Sequence, residues 1–183
     1  VEPLGASSGC WRDVEIDADA GIARLVGGGH PAPDRICAVV KSDAYGLGAA
    51  RIAGSMASMG IRNFAAYQPQ EAIEVATAAR GASVLVLMPV HQLDRAGAAR
   101  HLLASGRLHY TAHTLEQVRD LEAEAAPLGI VLPVHLELDT GMGRGGCEEP
   151  DARRILETVA GSRRLRLAGV MTHLPDALDD PDT

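Results

Sequence analysis

Aromatic side chains are nearly absent from this chain: one Trp, one Phe and three Tyr make up 3% of it. Stacked rings therefore cannot build its core, which must be packed from small aliphatic side chains. Cysteine is equally sparse. Cys10, Cys37 and Cys147 are scattered and odd in number, which excludes a disulfide framework and any metal-binding spacing. A reducing compartment, the cytoplasm, is the expectation that follows. Basic residues are outnumbered, with 17 Lys plus Arg against 24 Asp plus Glu and a net charge of −7. An acidic chain without a basic run is not built to bind nucleic acid. No apolar run approaches the ~20 residues of a membrane span. Val1 to Gly9 has neither a charged leader nor an apolar one, so no signal peptide is expected; the first residue is not methionine.

What is present is alternation. Short apolar runs read as strands at Ile36–Val40, Phe64–Ala66, Val84–Met88, Leu108–Tyr110, Val134–Leu138 and Leu167–Thr172. Alanine-rich stretches with helical spacing lie between them, at Ala49–Met59, Gln70–Ala79, Gln92–Ala104, Leu115–Ala125 and Ala152–Ala160. Glycines at 60, 81, 106 and 129 stand where helices should stop. The strand-to-strand spacing, roughly 20 to 30 residues, is that of a βα unit. Six such units imply a parallel α/β sheet, as a barrel or as a doubly wound layer. No Gly-x-Gly-x-x-Gly follows the first strand, which counts against a dinucleotide site. The 183 residues suffice for one domain with a sizeable core, and no linker divides them.

One lysine stands out. Lys41 closes the first strand in Ala38-Val39-Val40-Lys41-Ser42-Asp43-Ala44-Tyr45-Gly46-Leu47-Gly48. A lysine there faces the end of the sheet where α/β folds place their chemistry. Partial desolvation would suit its amine to Schiff-base formation. Tyr45, four residues on, offers a hydroxyl to an anion. A lysine that merely caps a strand beside a glycine turn would look the same.

The surrounding words separate these readings. Ala38 to Gly48 resembles the pyridoxal-phosphate lysine motif of the alanine racemase family. Leu138-Asp139-Thr140-Gly141-Met142-Gly143-Arg144 and Gly169-Val170-Met171-Thr172-His173 resemble two further motifs of that family, in the same order. The resemblance runs from Trp11 to His173. It implies a TIM-type (β/α) barrel, here about six of eight units, with residues 1–183 as a partial N-terminal, cofactor-binding barrel domain. The last units and the C-terminal β domain would lie outside it. It implies interconversion of L- and D-alanine through a pyridoxal 5′-phosphate Schiff base on Lys41, with Lys41 also a base on one face of the substrate. Tyr45 would bind the phosphate, Arg144 the phenolic oxygen of the ring, and His173 would lie against the pyridine. Leu87 would be an apolar wall and Met142 would line the substrate side. No metal is implied. The implied setting is a cytoplasmic homodimer that supplies D-alanine to bacterial cell walls, with a small amino acid as substrate and neither membrane nor nucleic acid as partner.

Departures from the family pattern accompany the match. Leu47 stands where the family usually has histidine, which removes a polar neighbour of Tyr45. Glu137 stands where a lysine is frequent, in some members carbamylated and orienting the arginine; a carboxylate there would hold Arg144 directly. Gly145 replaces a common leucine. Leu174-Pro175-Asp176 departs from the usual sequence after the histidine. His109 and His113 have no metal-spaced partners and read as structural, and Asp139 reads as an anchor of its turn rather than an acid. The second base, a tyrosine of the second domain reaching across the dimer, would lie outside residues 1–183. So would an arginine for the pyridine nitrogen and most of the phosphate loop. Two alternatives stay open: a non-catalytic barrel that carries the cofactor, and an inactive racemase fragment with exposed sheet edges.

Overall fold

The computed structural model of the chain describes residues 13–17, 22–26, 33 and 36–174. Two strands, β1 (Asp13–Asp17) and β2 (Ile22–Val26), pair antiparallel as a separate two-stranded sheet. The remaining strands form one parallel sheet in chain order: β3 (Cys37–Val39), β4 (Asn63–Ala66), β5 (Ser83–Val86), β6 (Leu108–Ala112), β7 (Leu132–Leu138) and β8 (Leu165–Thr172). Sequential parallel neighbours require a crossover each time, and the helices supply it. These are α2 (Ala49–Ser58), α3 (Pro69–Ala78), α4 (Gly97–Ala104), α5 (Leu115–Ala125) and α6 (Glu149–Gly161).

The pleat decides which side chain meets which layer. In β5, Val84 and Val86 are buried while Ser83 and Leu85 are half-buried. Val84, Val86, Leu108, Tyr110, Val134 and Leu136 are packed into the core, together with Ile52, Val75, Leu103, Leu121 and Ile155 from the helices. Each such side chain stabilises the fold by about 1.5–3 kcal/mol. The opposite faces of all six strands border one cavity of ≈450 Å³, lined among others by Val39, Ala65, Leu85, His109, His135 and Met171. The six strands therefore wrap around a common interior, as in a TIM-type barrel. Among the described residues the sheet does not close: β3 and β8 have no strand beyond them, and Val39, Leu167 and Val170 are 41–55% exposed. The expectation of an incomplete barrel with two open edges matches this sheet.

Local signals set the helix ends. Gln68 and Glu71 form a capping box with Pro69 in the first turn of α3. Thr114 Oγ1 caps α5 by accepting the Gln117 N–H. Three expectations need correction. The hairpin β1–β2 was not among the six strands expected; its Asp-Val-Glu-Ile-Asp run is too acidic to read as a core strand. The stretch expected as helix over Gln92–Ala104 is helical only from Gly97. Asp94 Oδ1 accepts the Ala96 N–H, and Glu124 takes the Leu93 N–H, bonds that hold residues 92–96 in a loop. The third is α1 (Lys41–Gly46), expected as an ordinary turn. It is a left-handed helical turn, with φ of 51–57° at Ser42, Asp43, Ala44 and Tyr45.

The interior also holds a histidine pair. His109 Nδ1 lies 2.8 Å from His135 Nε2. One proton can be shared between them; a second would put two cations at that distance. Burial, and then the neighbouring His135, push His109 down to about 4, and burial lowers His135 too. Both depressed values mean that the folded state binds fewer protons than the unfolded chain. Stability is thus full above the ordinary histidine value of about 6.5 and is lost as pH falls from there towards 4. The urea midpoint should decline over that window, and His109→Leu should flatten the decline. An unchanged slope in the variant would contradict the pairing.

Candidate active site at the C-terminal rim of the sheet

The parallel strands all end on one rim, and the residues expected to carry chemistry follow those ends. Lys41 comes one residue after β3 and its buried neighbour Val40, and is itself half-buried. Leu87 follows β5, half-buried beside the cavity; its N–H donates to the Ala66 carbonyl and its carbonyl accepts from Thr111 Oγ1. Met142 and Arg144 lie in the loop after β7, and His173 directly follows β8. The topology thus brings Lys41, Tyr45, Leu87, Met142, Arg144 and His173 to one end of the sheet. Met142 is half-buried; Tyr45, Arg144 and His173 are exposed.

Lys41 is presented by the left-handed turn. Four consecutive non-glycine residues in this conformation are costly, by roughly 1–2 kcal/mol each, so the surroundings must impose it. Glu71 does much of this. Its Oε1 accepts the Ser42 N–H at 2.8 Å, while Oε2 accepts the N–H groups of Tyr67 and Gln68. One carboxylate therefore ties the Lys41 turn to the start of α3. Asp43 Oδ1 accepts the Ala49 N–H at 2.7 Å and fastens the turn to α2. Ala44, only 4% exposed, plugs it into the core. Glu71 was missed by sequence reasoning, and its only signal was the capping-box position three residues after Gln68.

Arg144 is carried by a hoop. The Cys147 N–H donates to the Glu137 carbonyl and the Asp139 N–H to the Cys147 carbonyl, closing residues 139–147 at the base. Inside it, Asp139 accepts the N–H groups of Gly141 and Gly143. The Gly143 N–H, first among these, holds the Asp139 carboxyl below its ordinary range, which makes it an anchor and not an acid. Thr140 Oγ1 lies 2.7 Å from Thr172 Oγ1, linking the hoop to the strand end that bears His173.

The expected contact between Glu137 and Arg144 is absent. Glu137 Oε2 lies 2.9 Å from His113 Nε2, with both side chains almost buried. Among the described residues no carboxylate pairs with Arg144. Gly145 explains part of this, because a β-carbon there would sit 3.3 Å from His113 Cε1 and 3.6 Å from Glu137 Oε1. The imidazole fills the space that a leucine would need.

These groups fit pyridoxal phosphate by their chemistry: an amine for its aldehyde, a phenol for its phosphate, a guanidinium for its phenolic oxygen, and the Leu87 wall for its ring. No three His, Cys, Asp or Glu side chains among the described residues are grouped to hold a metal, and no described helix is long and apolar enough to cross a membrane.

Known proteins with this pattern are racemases. Residues 22–183 match the family model for the alanine racemase N-terminal domain. The chain is 38% identical over 148 residues to an alanine racemase of Synechocystis sp., covering 81% of this chain and 38% of that protein. It is 35% identical over 151 residues to an alanine racemase of Brucella suis, covering 82% and 37%. Among solved structures, alanine racemase from E. faecalis superposes with a TM-score of 0.62 at 31% identity over 79% of this chain and 38% of that one. A histidine racemase from Leuconostoc mesenteroides superposes with a TM-score of 0.70 at 24% identity, over 82% and 39%, a likeness of fold alone. The chain spans under two-fifths of the length of the curated relatives it matches. On this match the chain belongs to the alanine racemase family.

Proposed function

We propose that residues 1–183 are a cofactor-binding, partial barrel domain of an amino-acid racemase that interconverts L- and D-alanine with pyridoxal 5′-phosphate. The observation that carries the reading is the presentation of Lys41: a half-buried amine at a strand end, held by a left-handed turn that Glu71, Asp43 and Ala44 fix. Strained backbone of this kind is maintained where position matters. Lys41 Nζ would hold the cofactor covalently and would take or return the substrate's α-proton on its own face. Tyr45 Oη donates to the phosphate. The Arg144 guanidinium donates to the ring's phenolic oxygen. His173 would contact the pyridine ring, Leu87 would exclude water from one side, and Met142 would border the substrate. When bound, the cofactor supplies an electron sink for the electrons left as the α-proton departs.

A second base for the other face, a contact to the pyridine nitrogen and a homodimer are proposed for the assembled enzyme. Its role would be D-alanine supply for bacterial cell walls, in the cytoplasm.

One base on one face has a direct consequence. Incubated with pyridoxal phosphate in heavy water, the chain should exchange the α-hydrogen of one alanine enantiomer and leave the other at the background of free cofactor. Lys41→Ala should reduce that exchange by about 10²–10⁴-fold, the usual worth of a positioned base. Exchange of neither enantiomer above free cofactor would favour the non-catalytic carrier.

A further inference from the structure

His113 follows β6 and is held from behind, where its own N–H donates to Gln117 Oε1 and Gln117 Nε2 donates to the Thr111 carbonyl. Gln117 is 1% exposed, so the imidazole stands on a buried, hydrogen-bonded platform. In front of it lies the outgoing leg of the Arg144 hoop. The Gly146 N–H donates to His113 Nδ1 at 3.3 Å. A nitrogen that accepts carries no proton, so the proton of the neutral ring sits on Nε2. That atom is buried, without an aligned acceptor, and lies 2.9 Å from Glu137 Oε2. The ring thus fastens the hoop with one nitrogen and sets the other beside the Glu137 carboxylate.

We infer that His113 is a positioning residue for Arg144: it latches at Gly146 the hoop that carries the guanidinium. Gly145 belongs to the same device, since its missing β-carbon leaves room for the ring. The inference rests on the reading of Arg144 as a cofactor ligand for its consequence, but not for the latch itself.

Two measurements separate these. In the chain without cofactor, amide exchange at Gly146 should rise about tenfold in His113→Leu, the worth of one hydrogen bond. It should return close to the parent value in His113→Asn, whose amide oxygen replaces the Nδ1 acceptor. With pyridoxal phosphate titrated and Lys41 labelling as readout, His113→Leu should weaken binding roughly tenfold. In an Arg144→Ala background the same change should cost less than about twofold, because its effect passes through Arg144. Should His113→Leu not fold, His113→Gln, which keeps a polar atom towards Glu137 but gives up the Nδ1 acceptor, takes its place. Unchanged Gly146 exchange, or affinity losses that simply multiply, would overturn the inference. Failure of the parent chain to label Lys41 would instead refute the cofactor reading, while Gly146 exchange would still decide the latch.

Discussion

Gly146→Ala should destabilise the protein by roughly 3 kcal/mol or more, whereas Gly143→Ala in the same hoop should cost about 1 kcal/mol. Both glycines have positive φ, +96° and +65°, so both substitutions strain the backbone. Only the first also collides. A β-carbon at Gly146 would lie 2.7 Å from the Asp139 nitrogen, 2.8 Å from the Leu138 carbonyl carbon and 3.0 Å from the Glu137 oxygen. All three are backbone atoms at the base of the hoop and cannot swing away. At Gly143 nothing lies within 4 Å. The base of the hoop would have to open, and with it the Glu137–Cys147 and Asp139–Cys147 hydrogen bonds. Urea unfolding of the two variants is the check, and equal losses would show that the hoop is not closed as described.

Glu71→Ala should cost about 2 kcal/mol and loosen the turn that presents Lys41. The carboxylate accepts three backbone N–H groups, from Ser42, Tyr67 and Gln68. Its loss removes both the charged half of the capping box and the tie across the rim. The left-handed turn opposes an intrinsic preference of roughly 1–2 kcal/mol per residue, so it should relax once that tie is gone. Amide exchange at Ser42 should accelerate, and labelling of Lys41 by pyridoxal phosphate should fall in parallel. Glu71→Gln, which keeps one acceptor oxygen, should fall between. Rapid unfolding with Ser42 exchange unchanged would mean that Glu71 serves only α3.

The order of elements from Cys37 to Thr172 was legible in the sequence because each layer has its own period. Apolar runs of strand length alternate with alanine-rich helical faces, and the glycines at 60 and 106 do follow the C-caps of α2 and α4 with positive φ. The C-terminal rim followed from that order, since Lys41, Arg144 and His173 each come just after a strand. What was hidden is what side chains do across elements. A left-handed turn at Ser42–Tyr45 has no signature in residues that ordinarily avoid it; it is imposed by Glu71 from 29 positions away. The partner of Glu137 was misassigned because the family resemblance puts an arginine-orienting group at its position, whereas in β7 it lies against His113 at the end of β6. The His109–His135 pair likewise needs the parallel register of β6 and β7. The first hairpin was hidden by its acidic residues, and Asp176 to Thr183 lie outside the described residues.

The central claim is that the Lys41 turn is a working cofactor seat. Its most direct measurement is reductive trapping: incubation with pyridoxal phosphate, reduction with borohydride, digestion, and location of the modified peptide by mass. Lys41 is the single lysine of the sequence, so any label elsewhere would have to sit on the N-terminal amine. The account predicts stoichiometric label on Lys41, lost in Lys41→Arg and weakened in Glu71→Ala. No label, or label elsewhere with Lys41 bare, would contradict it.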